Sequence, residues 1–245
     1  MRVALIAVLL LTNPLAASAA CGIADLGAGE VAAVRDDATL LLKDGREVRL
    51  AGIEPAPTAR ALLVQLAPQG RVVRLAAATQ PQSDRYGRIL AFASTEAGLL
   101  QEALLAQGGA RVGVRAGGRS CAEGLLELEK QARQARRGLW AEPNFAPFPA
   151  EPGTWAQERL GTFVLVEGTV VSVRRSGGTV YVNFGRRWTR DVTLTIPRRL
   201  QAAFREAGRD PQMLQGRRVR VRGWLERRTG PVIEASAPEQ IELLE

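Results

Sequence analysis

The sequence predicts a mainly β protein with helices, an α+β chain made of two successive small units. Three observations carry that prediction. Apolar residues alternate in short runs bounded by turn residues, the pattern of half-buried strands. Other runs repeat at helical spacing between them. A proline-dense stretch from Pro143 to Gly153 interrupts both patterns and reads as a linker. The expected division is a signal peptide at 1–20, a first domain at 21–141, a Pro-rich linker at 142–157 and a second domain at 158–245.

Met1-Arg2 gives a positive start, Val3 to Leu11 is an apolar run, and Ala17-Ser18-Ala19-Ala20 is a small-residue exit. That order describes a secretory signal peptide. The run is too short to span a bilayer, which takes about 20 residues, and no later stretch is long enough. The mature protein is expected to be soluble and exported, periplasmic or secreted. Cys21 would open the mature chain, and Cys121 is the only other cysteine. In an oxidising compartment such a pair tends to bond, and a loop of that length would stabilise by about 4–5 kcal/mol in the chain-entropy model. Two alternatives stay open. Ser18-Ala19-Ala20-Cys21 loosely resembles a lipoprotein cleavage box, although the usual Leu is missing, and both thiols being free is the other.

From Gly29 to Leu50 the pattern is that of a β-hairpin, with Lys43-Asp44-Gly45-Arg46 as a tight turn. Thr58 to Leu66 is helical, with Ala59, Leu62, Leu63 and Leu66 on one face and Gly70 as its terminator. Val72–Leu75 and Ile89–Phe92 read as strands, and Leu99–Gln107 and Cys121–Arg136 as helices. In the last helix Leu125, Leu126, Leu128 and Ala132 are expected to face the core, and Glu127, Glu129, Lys130 and Arg133 to face water. Beyond the linker, strands are expected at Phe163–Val173, Thr179–Phe184 and Asp191–Ile196. A helix follows around Arg198–Glu206, then strands at Arg217–Leu225 and Pro231–Leu243. Five strands with a helix between the third and fourth is the element order of an OB barrel.

The net charge is +8 and histidine is absent. A basic surface attracts polyanions in a salt-sensitive way. Nearly all of that charge is Arg in an Ala-rich chain, so composition alone argues weakly for nucleic acid. The lack of His excludes any mechanism that needs an imidazole base, nucleophile or metal ligand.

Several segments carry a family resemblance: Val48-Arg49-Leu50-Ala51-Gly52-Ile53-Glu54, then Asp84-Arg85-Tyr86-Gly87-Arg88-Ile89-Leu90-Ala91, then Ala110-Arg111-Val112, Glu129, Ala132-Arg133 and Gly138-Leu139-Trp140. In order and spacing they resemble the thermonuclease (staphylococcal nuclease-like) family. The Asp-Arg-Tyr-Gly-Arg block is the most specific piece. The resemblance implies a thermonuclease-type OB barrel with packed helices for the first unit, and a second small OB-like barrel as a C-terminal extension. It also implies Ca²⁺-assisted phosphodiester hydrolysis, with a carboxylate as general base, two arginines on the phosphate, and carboxylates around the metal. The residue types suit that chemistry, since Ca²⁺ takes oxygen ligands and an Arg fork matches two phosphate oxygens.

By this resemblance Arg49 and Arg88 are the phosphate arginines, and Arg85 and Tyr86 line the substrate cleft; the alternative for the two arginines is a structural ion pair with Glu54 or another acid. The carboxylates depart from the pattern. Asp-Gly-Asp-Thr falls on Asp36-Asp37-Ala38-Thr39, so a metal-ligand Asp becomes Ala38. The expected ligand Asp in the next motif is Glu54, and the general base becomes Pro57, which takes no proton. An aromatic expected just after Val112 is replaced by Gly113 and Val114. A positioned base contributes about 10²–10⁴-fold, and the loss of a ligand as well favours a binder over an efficient nuclease. Asp36, Asp37 and Glu54 remain as a candidate displaced Ca²⁺ site, with Glu54 as a substitute base; the alternative is that Asp36 and Asp37 are turn residues bonding their own backbone. In the second unit Arg220, Arg222 and Trp224 alternate with core-facing Val219, Val221 and Leu225. They are expected on an outer face, either one suited to stacking and phosphate contact or a solvated strand face with a structural tryptophan.

The expected function is thus an exported thermonuclease-like protein that binds nucleic acid or a similar phosphate-rich polymer, with weak or lost hydrolysis. The alternatives are an active Ca²⁺-dependent nuclease with a rearranged carboxylate set, and a periplasmic interaction module with no nucleic-acid role.

Overall fold

The computed structural model describes residues 21–78, 82–114, 116–151 and 155–244. The stretch read as a signal peptide lies outside the described residues, as do Pro152 and Gly153. The first unit runs β1 (Ala24–Asp36), β2 (Thr39–Leu42), β3 (Glu47–Leu50), β4 (Ile53–Pro55), α1 (Ala59–Leu66), β5 (Val72–Ala77), β6 (Ile89–Thr95), β7 (Gly98–Leu99), α2 (Leu100–Ala106), β8 (Ala110–Val112) and α3 (Arg119–Gln134). β1 pairs antiparallel with β2 and β5, β2 with β3, and β5 with β6. A parallel pairing of β3 with β6 closes the five strands into a barrel. The β2–β3 turn is the expected one. The Asp44 carboxylate accepts the Arg46 N–H at 3.0 Å, and Gly45 supplies φ +89°.

The barrel fills with Val31, Leu40, Leu42, Val48, Leu50, Leu75 and Phe92, and the helices add Leu63, Leu104 and Leu125. α1 stops at Leu66, well before Gly70, so that glycine (φ +86°) shapes the turn into β5 and does not end the helix. Along α3 the buried positions are Cys121, Ala122, Leu125, Glu129 and Ala132. Their spacing of three and four residues traces one face. Glu129 therefore occupies a core position and not the water-facing one its charge suggested. Cys21 and Cys121 are joined by a disulfide, which pins the chain ahead of β1 to the first turn of α3.

Two short 3-10 turns, Gly138–Ala141 and Pro143–Phe145, lead into β9 (Phe148–Pro149) and α4 (Trp155–Glu158). The proline-dense segment is packed where it is described. β9 runs parallel to β10 (Phe163–Thr169), and Phe148 stacks on Trp155 with ring centroids 4.6 Å apart. The rest of the second unit is β11 (Ser172–Ser176), β12 (Thr179–Asn183), β13 (Thr193–Ile196), α5 (Gln201–Glu206), β14 (Arg218–Arg227), β15 (Pro231–Glu234) and β16 (Ile241–Leu244). Its sheet order is β11-β12-β13-β15-β14-β10-β9, with β16 added beside β14. The single strand expected over Phe163–Val173 is bent at Val170-Val171. Val170 N–H donates to Arg217 in front of β14, whereas Val171 N–H donates to Asn183 in β12. One chain segment thus serves both ends of the sheet and curls it into a second barrel-like unit, with α5 between the third and fourth strands as expected. The two units meet over Ala56, Ala132, Leu139 and Trp140 from one side and Phe163 and Leu165 from the other. No helix among the described residues is long and apolar enough to cross a membrane.

Candidate functional site

The β6-side loop is built around Asp84. An Asp at the first position of a tight turn, with Gly three residues on, is a strong turn signature, and Gly87 (φ +80°) donates its N–H to the Asp84 carbonyl. The Asp84 carboxylate then accepts the backbone N–H groups of Tyr86 and Arg88 at 2.9 and 3.0 Å and the Arg88 side chain at 2.7 and 2.8 Å. Its partial burial pushes the Asp84 carboxyl up, but the hydrogen bonds from Arg88 and the loop outweigh this and hold it below the usual carboxylate range. Asp84 is a positioning residue that the sequence reading gave no role, although it stands four residues before Arg88 in the most specific motif.

The loop presents Tyr86, which is 68% exposed, with the guanidinium carbons of Arg85 and Arg88 at 4.8 and 5.3 Å from its ring centroid. Arg88 also donates to the Thr39 hydroxyl at 3.3 Å and pairs with Asp36 at 3.5 Å. Thr39 stands opposite Arg49 in the β2–β3 ladder, and Arg49 stands opposite Leu90 of β6. Strand pairing therefore brings Arg49, Arg85, Tyr86 and Arg88 to one stretch of barrel wall. Arg88 is held by two carboxylates, while Arg49 makes no ion pair or side-chain hydrogen bond among the described residues.

Glu54 of β4 faces Arg111 of β8 across the short two-stranded sheet. It lies half-buried on a cleft of about 270 Å³ between the two units, whose lining includes Arg49, Leu90, Gly113, Val114, Trp224 and Ser236. Burial pushes the Glu54 carboxyl above its ordinary value, against the opposing pull of Arg111 and then Arg49. The sequence places no aromatic after Val112, and the cleft's aromatic comes instead from β14. Trp224 is 47% exposed and is braced edge-on by Phe163 at 6.2 Å.

The neighbours of Trp224 on that strand face are not where the sequence put them. Arg222 is fully buried. It bonds the Glu129 carboxylate through both terminal nitrogens at 2.8 and 2.9 Å, and also reaches Glu242 and the Val112 carbonyl. Arg220 is 9% exposed and bridges Glu167 and Glu242. The alternation along β14 is as expected, with Val219, Val221 and Leu225 in the core. Its other face, however, is roofed by α3 and flanked by acids on β10 and β16. Arg222 is therefore buried at the interface and Arg220 is spent on acids of its own unit, and of the three only Trp224 stays open.

The carboxylates are dispersed. Asp36 spends one oxygen on the Ala38 N–H and the other on Arg88, and Asp37 accepts the Arg60 N–H at 3.3 Å. Among the described residues no group of three or more His, Cys, Asp or Glu side chains converges as a metal site. Ala38 is wholly buried and Pro57 is exposed. Ca²⁺ takes six to eight oxygens, backbone carbonyls and waters among them, and here the described acidic side chains are spread apart and supply no ready-made cluster of them.

A closed five-strand barrel carrying three helices defines an OB-type barrel. Residues 49–142 match the family described as staphylococcal nuclease homologue, and this part of the chain is thermonuclease-like. The acidic pair Asp36-Asp37 precedes the matched residues. No curated protein matches the chain.

Proposed function

We propose that this is an exported thermonuclease-like protein that binds nucleic acid and hydrolyses it weakly or not at all. One observation carries the reading. The cleft offers a guanidinium (Arg49) and an indole (Trp224), with the Arg85–Tyr86–Arg88 rim close by, but only one half-buried carboxylate, Glu54. Cations and rings suit phosphates and bases. One carboxylate does not supply both a base and a metal shell. Export is supported by the disulfide, since such bonds persist mainly in oxidising compartments.

A second reading has one observation in its favour. A carboxyl raised by burial is a better general base, so Glu54 is the residue on which a rearranged hydrolase would depend. One experiment separates the two. Single-stranded DNA is incubated with the mature protein, with calcium or with chelator, and its binding is followed against salt. Salt-sensitive binding, with a slope lowered by about one in Arg49→Ala and no cleavage above an Arg88→Ala control, supports the binder. Cleavage abolished by Glu54→Gln would replace it with the rearranged enzyme.

A further inference from the structure

The second unit carries a groove of about 610 Å³ between the β11–β12 hairpin and the loop before β13. The geometry points to a separate binding site there for single-stranded nucleic acid, with bases stacked on Tyr181 and Trp188 and phosphates held by Arg174 and Arg186. This extends the proposed function, nucleic-acid contact, to a place that has no part in the cleft around Glu54.

Exposure is the first argument. Four aromatic side chains among the described residues are exposed, and two of them, Tyr86 and Trp224, belong to the site already described. The other two, Tyr181 at 36% and Trp188 at 61%, face this one groove, together with exposed Val171. Exposed apolar surface gathered in one place marks interaction sites, whereas scattered exposed residues need no explanation.

Chemistry is the second. Val173, Val180 and Val182 turn inward from the hairpin, so the alternation sends Arg174, Tyr181 and Asn183 outward. Arg174 stands directly across the ladder from Tyr181, which puts a cation beside a ring. Neither Arg174 nor Arg186 has an ion pair or a side-chain hydrogen bond among the described residues, and no acidic side chain lines the groove. A polyanion with flat, stackable rings matches both features. An acidic protein segment would use only the arginines and leave the rings without a role.

Rigidity is the third. The loop that carries Arg186 and Trp188 is braced from below. The buried Asp191 carboxylate accepts the Arg187 N–H at 2.7 Å. A Cβ at Gly185 would come within 1.9 Å of that carboxylate, and one at Gly230 within 2.1 Å of the Trp188 carbonyl. The backbone of the loop is thus seated tightly while the indole is left outside, a pre-organised platform.

The test measures binding of a labelled single-stranded DNA to the full mature chain across salt concentrations. The variants are Tyr181→Ala with Trp188→Ala, Arg174→Gln with Arg186→Gln, and Arg49→Ala in the first unit. The aromatic pair is expected to lose roughly five- to a hundredfold in affinity per ring. The arginine pair is expected to lower the salt slope by about two. Because those arginines hold nothing in place, a folding defect in the aromatic pair would leave the second variant to decide. Unchanged affinity and slope in the groove variants, with Arg49→Ala still weakening binding, overturns this site and leaves the proposed function standing. No binding by the unaltered protein overturns both. Equal competition from polyglutamate that survives the aromatic substitutions also overturns the site, in favour of an acidic protein partner.

Discussion

Glu129 and Arg222 are both wholly buried, and each is the other's principal partner. A charge removed from water needs a partner of good geometry and a full set of hydrogen bonds. Here the guanidinium meets the carboxylate end-on, the Val112 N–H donates to Glu129 at 2.6 Å, and Arg133 adds a further contact at 3.1 Å, with the Arg222 Nε left as the one unpartnered donor of the pair. Burial alone would depress the Arg222 pKa, but Glu129 and Glu242 outweigh it and raise it, so the charge is retained. Removing one partner strands the other. Arg222→Ala is expected to lose about 3–5 kcal/mol in denaturant unfolding, whereas Arg222→Met with Glu129→Met should lose less than the two single changes summed. Strict additivity would mean that the pair is not the unit described. Why the sequence misled at these two residues is physical. Spacing puts Glu129 on the Cys121–Leu125–Ala132 face, yet its charge argues for water, and alternation puts Arg222 on the outer face of β14. What covers that face belongs to the other unit, 93 residues away in the chain, and no local pattern encodes a cover so remote.

Among the elements, those with long and regular periodicity were legible and those held by two or three pairings were not. The β2–β3 turn and the positions of α1, α2 and α3 follow from Asp-Gly chemistry and helical spacing. β4 and β8 are three residues each and become strands only by finding one another, although this small sheet is what carries Glu54 and Arg111. The bend at Val170-Val171 was hidden because apolar residues continue through it. The motif names Arg49, Tyr86 and Arg88 as candidates and strand pairing sets them on one stretch of barrel wall, but the clustering of Tyr181 with Trp188 needed the loop before β13 to be seated. The tie between the start of the chain and α3 belongs to this scale as well. The disulfide closes a loop of 100 residues, with Gly117 against Cys21 and the Cys121 sulfur. Replacing both cysteines by serine is expected to cost about 4–5 kcal/mol in the chain-entropy model. The loss should appear in thermal unfolding, and reduction of the wild-type protein should reproduce it. A melting temperature indifferent to reductant would show that α3 holds its place without the bond.

At the scale of the whole molecule, the two units are joined by mixed chemistry. An apolar patch centred on Leu139, Trp140, Phe163 and Leu165 lies beside Arg111, which donates to the Phe163 carbonyl at 2.8 Å and sits over the Phe145 and Phe163 rings. Next to it the Arg222–Glu129 pair reaches Glu242, and Arg220 shares that carboxylate. The interface should therefore respond to acid. Burial pushes the Glu242 carboxyl up, but Arg222 and then Arg220 outweigh it, and the group ends below its unfolded value of 4.5. A carboxyl lowered by folding contributes stability that is complete above the unfolded value and is lost as pH falls through the folded one. Glu54 acts in the opposite sense. Its folded value lies above 4.5, so taking up a proton as pH falls through that value relieves a burial cost and offsets part of the loss. Calorimetry across this range should show wild-type stability falling below about pH 4.5 more steeply than in Glu242→Gln, which is expected to be weaker at neutral pH but flatter in acid. Because Glu54 is untouched in both proteins, the difference between the two curves isolates Glu242. Parallel curves would mean that this carboxylate keeps its unfolded affinity for protons.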